Sequence, residues 1–185
     1  MDRSTLDKLI SSTGLIIAIV LLGVSGGLFY AYNFIHSQVN TQLAQQKIVF
    51  PEASSKAIEV LPDTDKKEVS KYADQQLTTG AQAKVFADNY IAVHLKKVAG
   101  GQTYSEVSAA AQANPTDTKL NAQVQTLFRG ETLRGLLLNA YAFDTMAMVA
   151  SYAAIGTLVA SLVLLILVFL GFQHAGVTAR KRRKR

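Results

Sequence analysis

The chain has 185 residues, no cysteine and a formal net charge of +6. That length leaves room for one folded domain beside any membrane parts, and the absence of cysteine excludes disulfides, thiolate nucleophiles and cysteine-based metal sites. The charge suggests a nucleic acid, but residues 36–144 carry 11 Lys/Arg against 11 Asp/Glu and the N-terminal segment also balances, so the whole excess is Arg180, Lys181, Arg182, Arg183, Lys184 and Arg185. Such a cluster beside an apolar run orients a membrane protein and touches anionic lipid, so membrane lipids and not nucleic acid are the expected partner.

Leu9 to Ile35 is the first apolar region. A cleaved signal peptide and a permanent anchor both fit. The anchor is favoured because the run exceeds the usual signal-peptide core and ends in Phe29, Tyr30, Tyr32 and Phe34, an interfacial aromatic cluster rather than a small-residue cleavage site. Ile35, Val39 and Leu43 then recur every four residues, which predicts that this helix projects about three turns beyond the span with a stripe for a partner surface. Residues 47–62 are read as a mostly irregular connector, with short extended pieces or one short helix after Pro51 as the alternatives.

Helix punctuation follows. Asp65 to Glu68 resembles an N-cap with a carboxylate three residues on, and Gly80 is expected to end that helix. Ala81 to Ala99 forms the next helix, broken by Gly100-Gly101. Thr103-x-x-Glu106 is a capping box for a short Ala-rich helix that stops before Pro115. Asp117 caps a last helix that can run into the second apolar span, Met146 to Phe172, which has no charge and no proline. A helix through Lys119 to Phe172 would measure roughly 80 Å, far more than a bilayer needs, with Gly130 and Gly135 as the places to bend or break.

The resulting fold class is an all-α membrane protein. Residues 1–9 form a cytoplasmic N-terminus, 10–35 the first transmembrane helix, 36–144 an extracytoplasmic helical bundle, 145–172 the second transmembrane helix and 173–185 a basic cytoplasmic tail. Both termini are expected in the cytoplasm, because the six basic residues of the tail outvote Arg3 and Lys8.

Motifs for chemistry are sparse. His36, His94 and His174 share no ligand spacing, and Tyr90 with His94, four apart, reads as a packed pair. Asp63-Thr-Asp65 opens like a calcium loop, but Lys67 and Glu68 stand where a further oxygen ligand and a glycine are required. No nucleophile elbow or phosphate-binding glycine loop occurs. No cofactor or metal is expected, and an enzyme is the weakest reading, resting on His94 and Glu131. Arg129, Glu131 and Arg134 lie near where the last helix meets the membrane. They are read as lipid-headgroup contacts with Glu131 pairing Arg134, or as a docking point for a partner protein. Gly23-x-x-x-Gly27, Ala150-x-x-x-Ala154 and Gly156-x-x-x-Ala160 are small-residue spacings expected to pack span against span, with a homodimer as the lesser alternative.

The run Gln102 to Ile155, centred on TLFRGETLRGLLLNAYAF, resembles a group of uncharacterised bacterial two-span membrane proteins common in high-GC Gram-positive genomes. The resemblance implies a bacterial plasma membrane and assigns no activity and no functional residue. Some members carry the label of an aromatic ring-opening dioxygenase, yet the iron site of such an enzyme needs clustered His and carboxylate ligands that this sequence does not offer. The first expectation is an accessory or assembly subunit with a membrane-protein partner. The alternative is an extracytoplasmic sensor, which would need a signalling partner because only 13 residues follow the second span.

Overall fold

A computed structural model describes the backbone of residues 3–183 and the side chains of 5–177. The molecule is about 82% helical with no strands among the described residues. Among the described residues, seven α-helices follow in chain order: α1 (Arg3–Gln45), α2 (Lys56–Glu59), α3 (Asp63–Ser70), α4 (Gly80–Val85), α5 (Ala92–Val98), α6 (Tyr104–Ala113) and α7 (Thr118–Arg183). A π-helical segment, Phe86–Ile91, joins α4 to α5. The chain divides into two compact units, a span unit up to Phe34 and from Ala147, and a central unit, Ile35–Met146.

In the span unit, α1 and α7 are long and apolar enough to cross a membrane. Only 11% and 17% of their most apolar windows are buried, so neither is the interior helix of a water-soluble core. The buried positions recur every seven residues: Ser11, Ala18 and Ser25 on α1, and Ala147, Ala154, Ser161, Val168 and Ala175 on α7. A seven-residue repeat keeps one narrow seam facing its partner. The chains run antiparallel, since Ser25 meets Ala154 while Asp7 meets His174. Two hydrogen bonds close the seam reciprocally. Ser25 Oγ donates to the Ala154 carbonyl at 2.9 Å, and Ser161 Oγ donates to the Ala18 carbonyl at 2.9 Å. In hydrocarbon a hydroxyl needs a protein partner, and a carbonyl's second lone pair supplies one without unwinding the helix.

The glycines that admit close contact in this seam are Gly14 and Gly171. An added Cβ would meet Val168 at the first and the Ser11 hydroxyl at the second. This corrects the expected packing face. Gly23, Gly27 and Gly156 have nothing within 4 Å of an added Cβ, Ala160 is exposed and Ala150 partly buried, so only Ala154 of those six lies on the seam. The physical reason is register: Gly27 and Gly156 fall two residues past a seam position and Gly23 five past one, on the outward side, whereas Gly14 and Gly171 fall three past one and face the partner helix.

The central unit is built on an apolar cluster. Val39 and Leu43 of α1 enter it, so the stripe expected to meet a partner is covered within the chain. Phe50, although it comes from the irregular connector, is 1% exposed. It packs edge-on against Phe86 at 5.1 Å between centroids and tilts against Tyr72 at 5.4 Å. Backbone bonds hold this connector: Phe50 N–H donates to Gln75 O and Leu77 N–H to Ile48 O, around an isolated bridge between Val49 and Gln76.

Several boundaries differ from expectation. Helix α3 begins at Asp63 behind Pro62, and Asp65 instead accepts from Asn89. Gly80 does not end α3 but opens α4, whose cap is Thr79 in a capping box with Gln82. Helix α7 runs 66 residues through both Gly130 and Gly135. At Gly130 the missing Cβ serves packing, because the Leu95 side chain occupies that space. The Thr103–Glu106 capping box is present, Asp117 accepts from Lys119 N–H and Leu120 N–H, and Gly100 and Gly101 both take positive φ.

Candidate functional site

Of the polar residues singled out on α7, Arg129 and Glu131 are exposed and Arg134 is partly buried. Arg134 is engaged inside the central unit. One guanidinium nitrogen donates to Glu131 at 3.3 Å, one turn earlier, and the other to Asp88 at 3.2 Å, on the π-helical segment. Its Nε is buried without a hydrogen-bond partner. Asp88 also takes a 2.7 Å bond from Lys84, whose ammonium lies 5.4 Å from the centre of the Tyr141 ring. The result is a ladder, Lys84–Asp88–Arg134–Glu131, that ties α4 and the π-helical segment to α7.

The electrostatics follow from this geometry. Partial burial pushes the Asp88 carboxyl up, but hydrogen bonds from Lys84 and Arg134 outweigh it and leave the group below the usual carboxylate range. The hydrogen bond to Asp88 holds the Lys84 ammonium above its ordinary value. Glu106, fully exposed, is lowered by the backbone N–H of Thr103 and then by the Thr103 hydroxyl.

The π-helical segment organises this region. Asp88 reaches α7, Asn89 donates to Asp65 of α3 at 2.7 Å, and the Tyr90 ring packs tilted between Phe86 and His94. Single π turns inside α-helices frequently mark functional sites. Tyr90 and His94 sit 4.5 Å apart, with His94 Nδ1 at 2.8 Å from the Tyr90 carbonyl, the packed pair that four-residue spacing implies. Asp144 is satisfied twice, by His36 Nδ1 at 2.7 Å and by Gly80 N–H at 3.2 Å, and an added Cβ at Gly80 would collide with it.

Beside Arg134 lies a cavity of about 500 Å³. Ala92, Leu95 and Lys96 of α5 line one side, residues 101–105 at the α5–α6 turn and the start of α6 another, and Leu127, Glu131 and Arg134 of α7 the third. Among the described residues no group of three or more His, Asp or Glu side chains is placed to hold a metal ion.

No protein-family model, curated protein or solved structure matches the chain. The chemistry of the region is therefore that of its own side chains. It offers one tied arginine, one lysine and one exposed carboxylate around an apolar floor.

The sequence pointed to Arg134 and Glu131 but not to Asp88, Lys84 or Lys96. Glu131–Arg134 is a local helix pair that spacing reveals, whereas Asp88 and Arg134 are 46 residues apart. The basic tail could not be placed in the same way: the side chains of Arg180, Lys181, Arg182 and Arg183, and all of Lys184 and Arg185, lie outside the described residues.

Proposed function

We propose that the chain is a bacterial plasma-membrane protein whose two spans form a static anchor, and whose central unit serves as an accessory or assembly subunit of a larger membrane or envelope complex. The observation that carries this reading is the reciprocal serine contact of the spans. Sliding or rotating one span against the other would break both bonds, at about 1 kcal/mol together, and would take Gly14 and Gly171 off the close contacts with Val168 and Ser11 that fix the register. A pair built this way holds position rather than passing movement across the bilayer. Crosslinking in native membranes followed by mass spectrometry tests it. A reproducible larger neighbour is expected, and migration alone under mild detergent with no crosslink would end the proposal.

The proposed topology puts both termini in the cytoplasm and residues 36–144 outside, on the strength of the basic tail, since each Lys or Arg near an anionic leaflet contributes about 1 kcal/mol. A reporter active only in the cytoplasm, fused after Arg185, should be active, and an export-dependent reporter inserted at Gly100 should also be active. The reverse pattern would invert the assignment.

A second reading, a sensor acting through a signalling partner, draws support from the cavity. It requires the spans to move on ligand binding. Cysteines introduced by Asp7→Cys and His174→Cys, at residues whose side chains are 3.1 Å apart, report that movement without background from native cysteines. A crosslinking rate that changes with ligand favours the sensor, and an unchanged rate favours the anchor.

A further inference from the structure

The cavity of the central unit has a floor and a rim of opposite character. Leu95 and Leu127 are 7% and 2% exposed and, with Ala92, give an apolar floor. Leu95 can lie directly on α7 only because residue 130 is glycine. The rim carries two cations and one anion. Glu131 and Arg134 compensate each other, and the second guanidinium bond of Arg134 goes to Asp88. Lys96 has no ion pair among the described residues, so the lining is left with one uncompensated positive charge.

The hydroxyls on the rim are not equivalent. Thr103 is committed to the helix cap, accepting from Glu106 N–H and donating to the Glu106 carboxylate. Tyr104 and Ser105 remain as donors, and the Tyr104 ring lies 6.1 Å from Phe128 as a wall. The volume falls within the range of small-molecule sites, which combine an apolar lining with a few polar groups that fix orientation.

We propose that this cavity binds a small amphipathic monoanion, a carboxylate carrying a compact apolar body. Lys96 takes the carboxylate at the rim, and Leu95 and Leu127 receive the body. The inference rests on neither functional reading above, since an anchor or a sensor can carry such a site.

Hexanoate is a suitable probe, with hexanol and hexylamine as its uncharged and cationic counterparts. The full-length chain in phosphatidylcholine nanodiscs is titrated by ligand-observed NMR, with empty nanodiscs subtracted. Hexanoate should bind saturably and at least tenfold more tightly than either counterpart. Lys96→Gln, an exposed change that leaves packing alone, should weaken it about tenfold, while Lys96→Arg should retain it. Ala92→Phe, which fills the floor, should abolish it. The proposal is overturned if hexanoate binds no better than hexanol, if its signal equals that of empty nanodiscs, or if Lys96→Gln leaves its affinity unchanged.

Discussion

The span unit and the central unit solve packing with different materials. The central unit uses bulk: Phe50, Ile58, Leu77 and Leu127 are almost fully buried, and rings touch in a row from Tyr72 through Phe50 and Phe86 to Tyr90. The span unit buries mainly alanine and serine, with Val168 its largest seam residue, and turns its large apolar side chains outward. In water, removing large apolar surface drives folding. In lipid that gain is absent, and close backbone approach with interhelical hydrogen bonds takes its place. The small buried residues of the span unit are those that a helix pair packed without that gain requires.

The largest expected effect tests the central unit. Phe50→Ala should remove about 3–5 kcal/mol, the usual range for a buried phenylalanine, read as a lower thermal midpoint in near-ultraviolet circular dichroism of the full chain. A loss below 1 kcal/mol would mean that Phe50 does not anchor the connector. Next comes the seam: Gly171→Leu drives a side chain into Ser11 and should cost about 1–3 kcal/mol of span association. Steric-trapping measurements in bilayers would show it.

Ser25→Ala with Ser161→Ala should cost about 1 kcal/mol in the same assay, because membrane hydrogen bonds average about 0.6 kcal/mol each. The Asp7→Cys/His174→Cys crosslink should also slow. A loss of several kcal/mol would instead place the serines above packing in importance.

A smaller effect is tied to pH. The Asp88 carboxyl is lowered, so its contribution is present above the unfolded-state value and is lost as pH falls through the folded one. Asp88→Asn should flatten the stability of the central unit between neutral pH and the acid side of the carboxylate range. The neutral-pH cost should be about 1 kcal/mol or less, as for a partly exposed ion pair. Equal acid slopes in both proteins would remove Asp88 from that role. The smallest effect belongs to Gly23→Ala, which meets nothing. Span association should change by no more than a few tenths of a kcal/mol, and a larger loss would place a second contact on that face.

Local signals in the sequence carried most of the helix plan. Glycine at positive φ, a Thr–x–x–Glu cap and an Asp cap each act within a few residues, so Gly100–Gly101, Thr103–Glu106 and Asp117 could be read directly. The two spans were legible from apolar length. What escaped was non-local. Phe50 comes from a segment without helical or strand periodicity, and only its partners Phe86 and Tyr72 reveal its role. The seam was hidden because Ser11, Ser25 and Ser161 read as interruptions in an apolar run, while Gly23-x-x-x-Gly27 offered a more familiar spacing. At the candidate site, Lys96 carried no pattern, and the π-helical segment has no sequence signature in FADNYI.

The seam has a consequence for assembly. Both helices carry the same word, alanine followed seven residues later by serine: Ala18 and Ser25 on one, Ala154 and Ser161 on the other. Read antiparallel, that word is its own complement. An isolated copy of either helix could satisfy both hydrogen bonds with a second copy of itself only by lying head to tail. In a membrane where every copy inserts the same way, two copies of α1 meet head to head, and so do two copies of α7. Under the proposed topology, self-pairing would be removed by vectorial insertion rather than by the side chains. One competing match remains, α1 of one molecule with α7 of another, and the covalent link through the central unit disfavours it by keeping the proper partner at high effective concentration. Cutting that link within residues 47–62 while leaving both spans intact would leave the packing of Val39 and Leu43 in the central core to oppose the exchange.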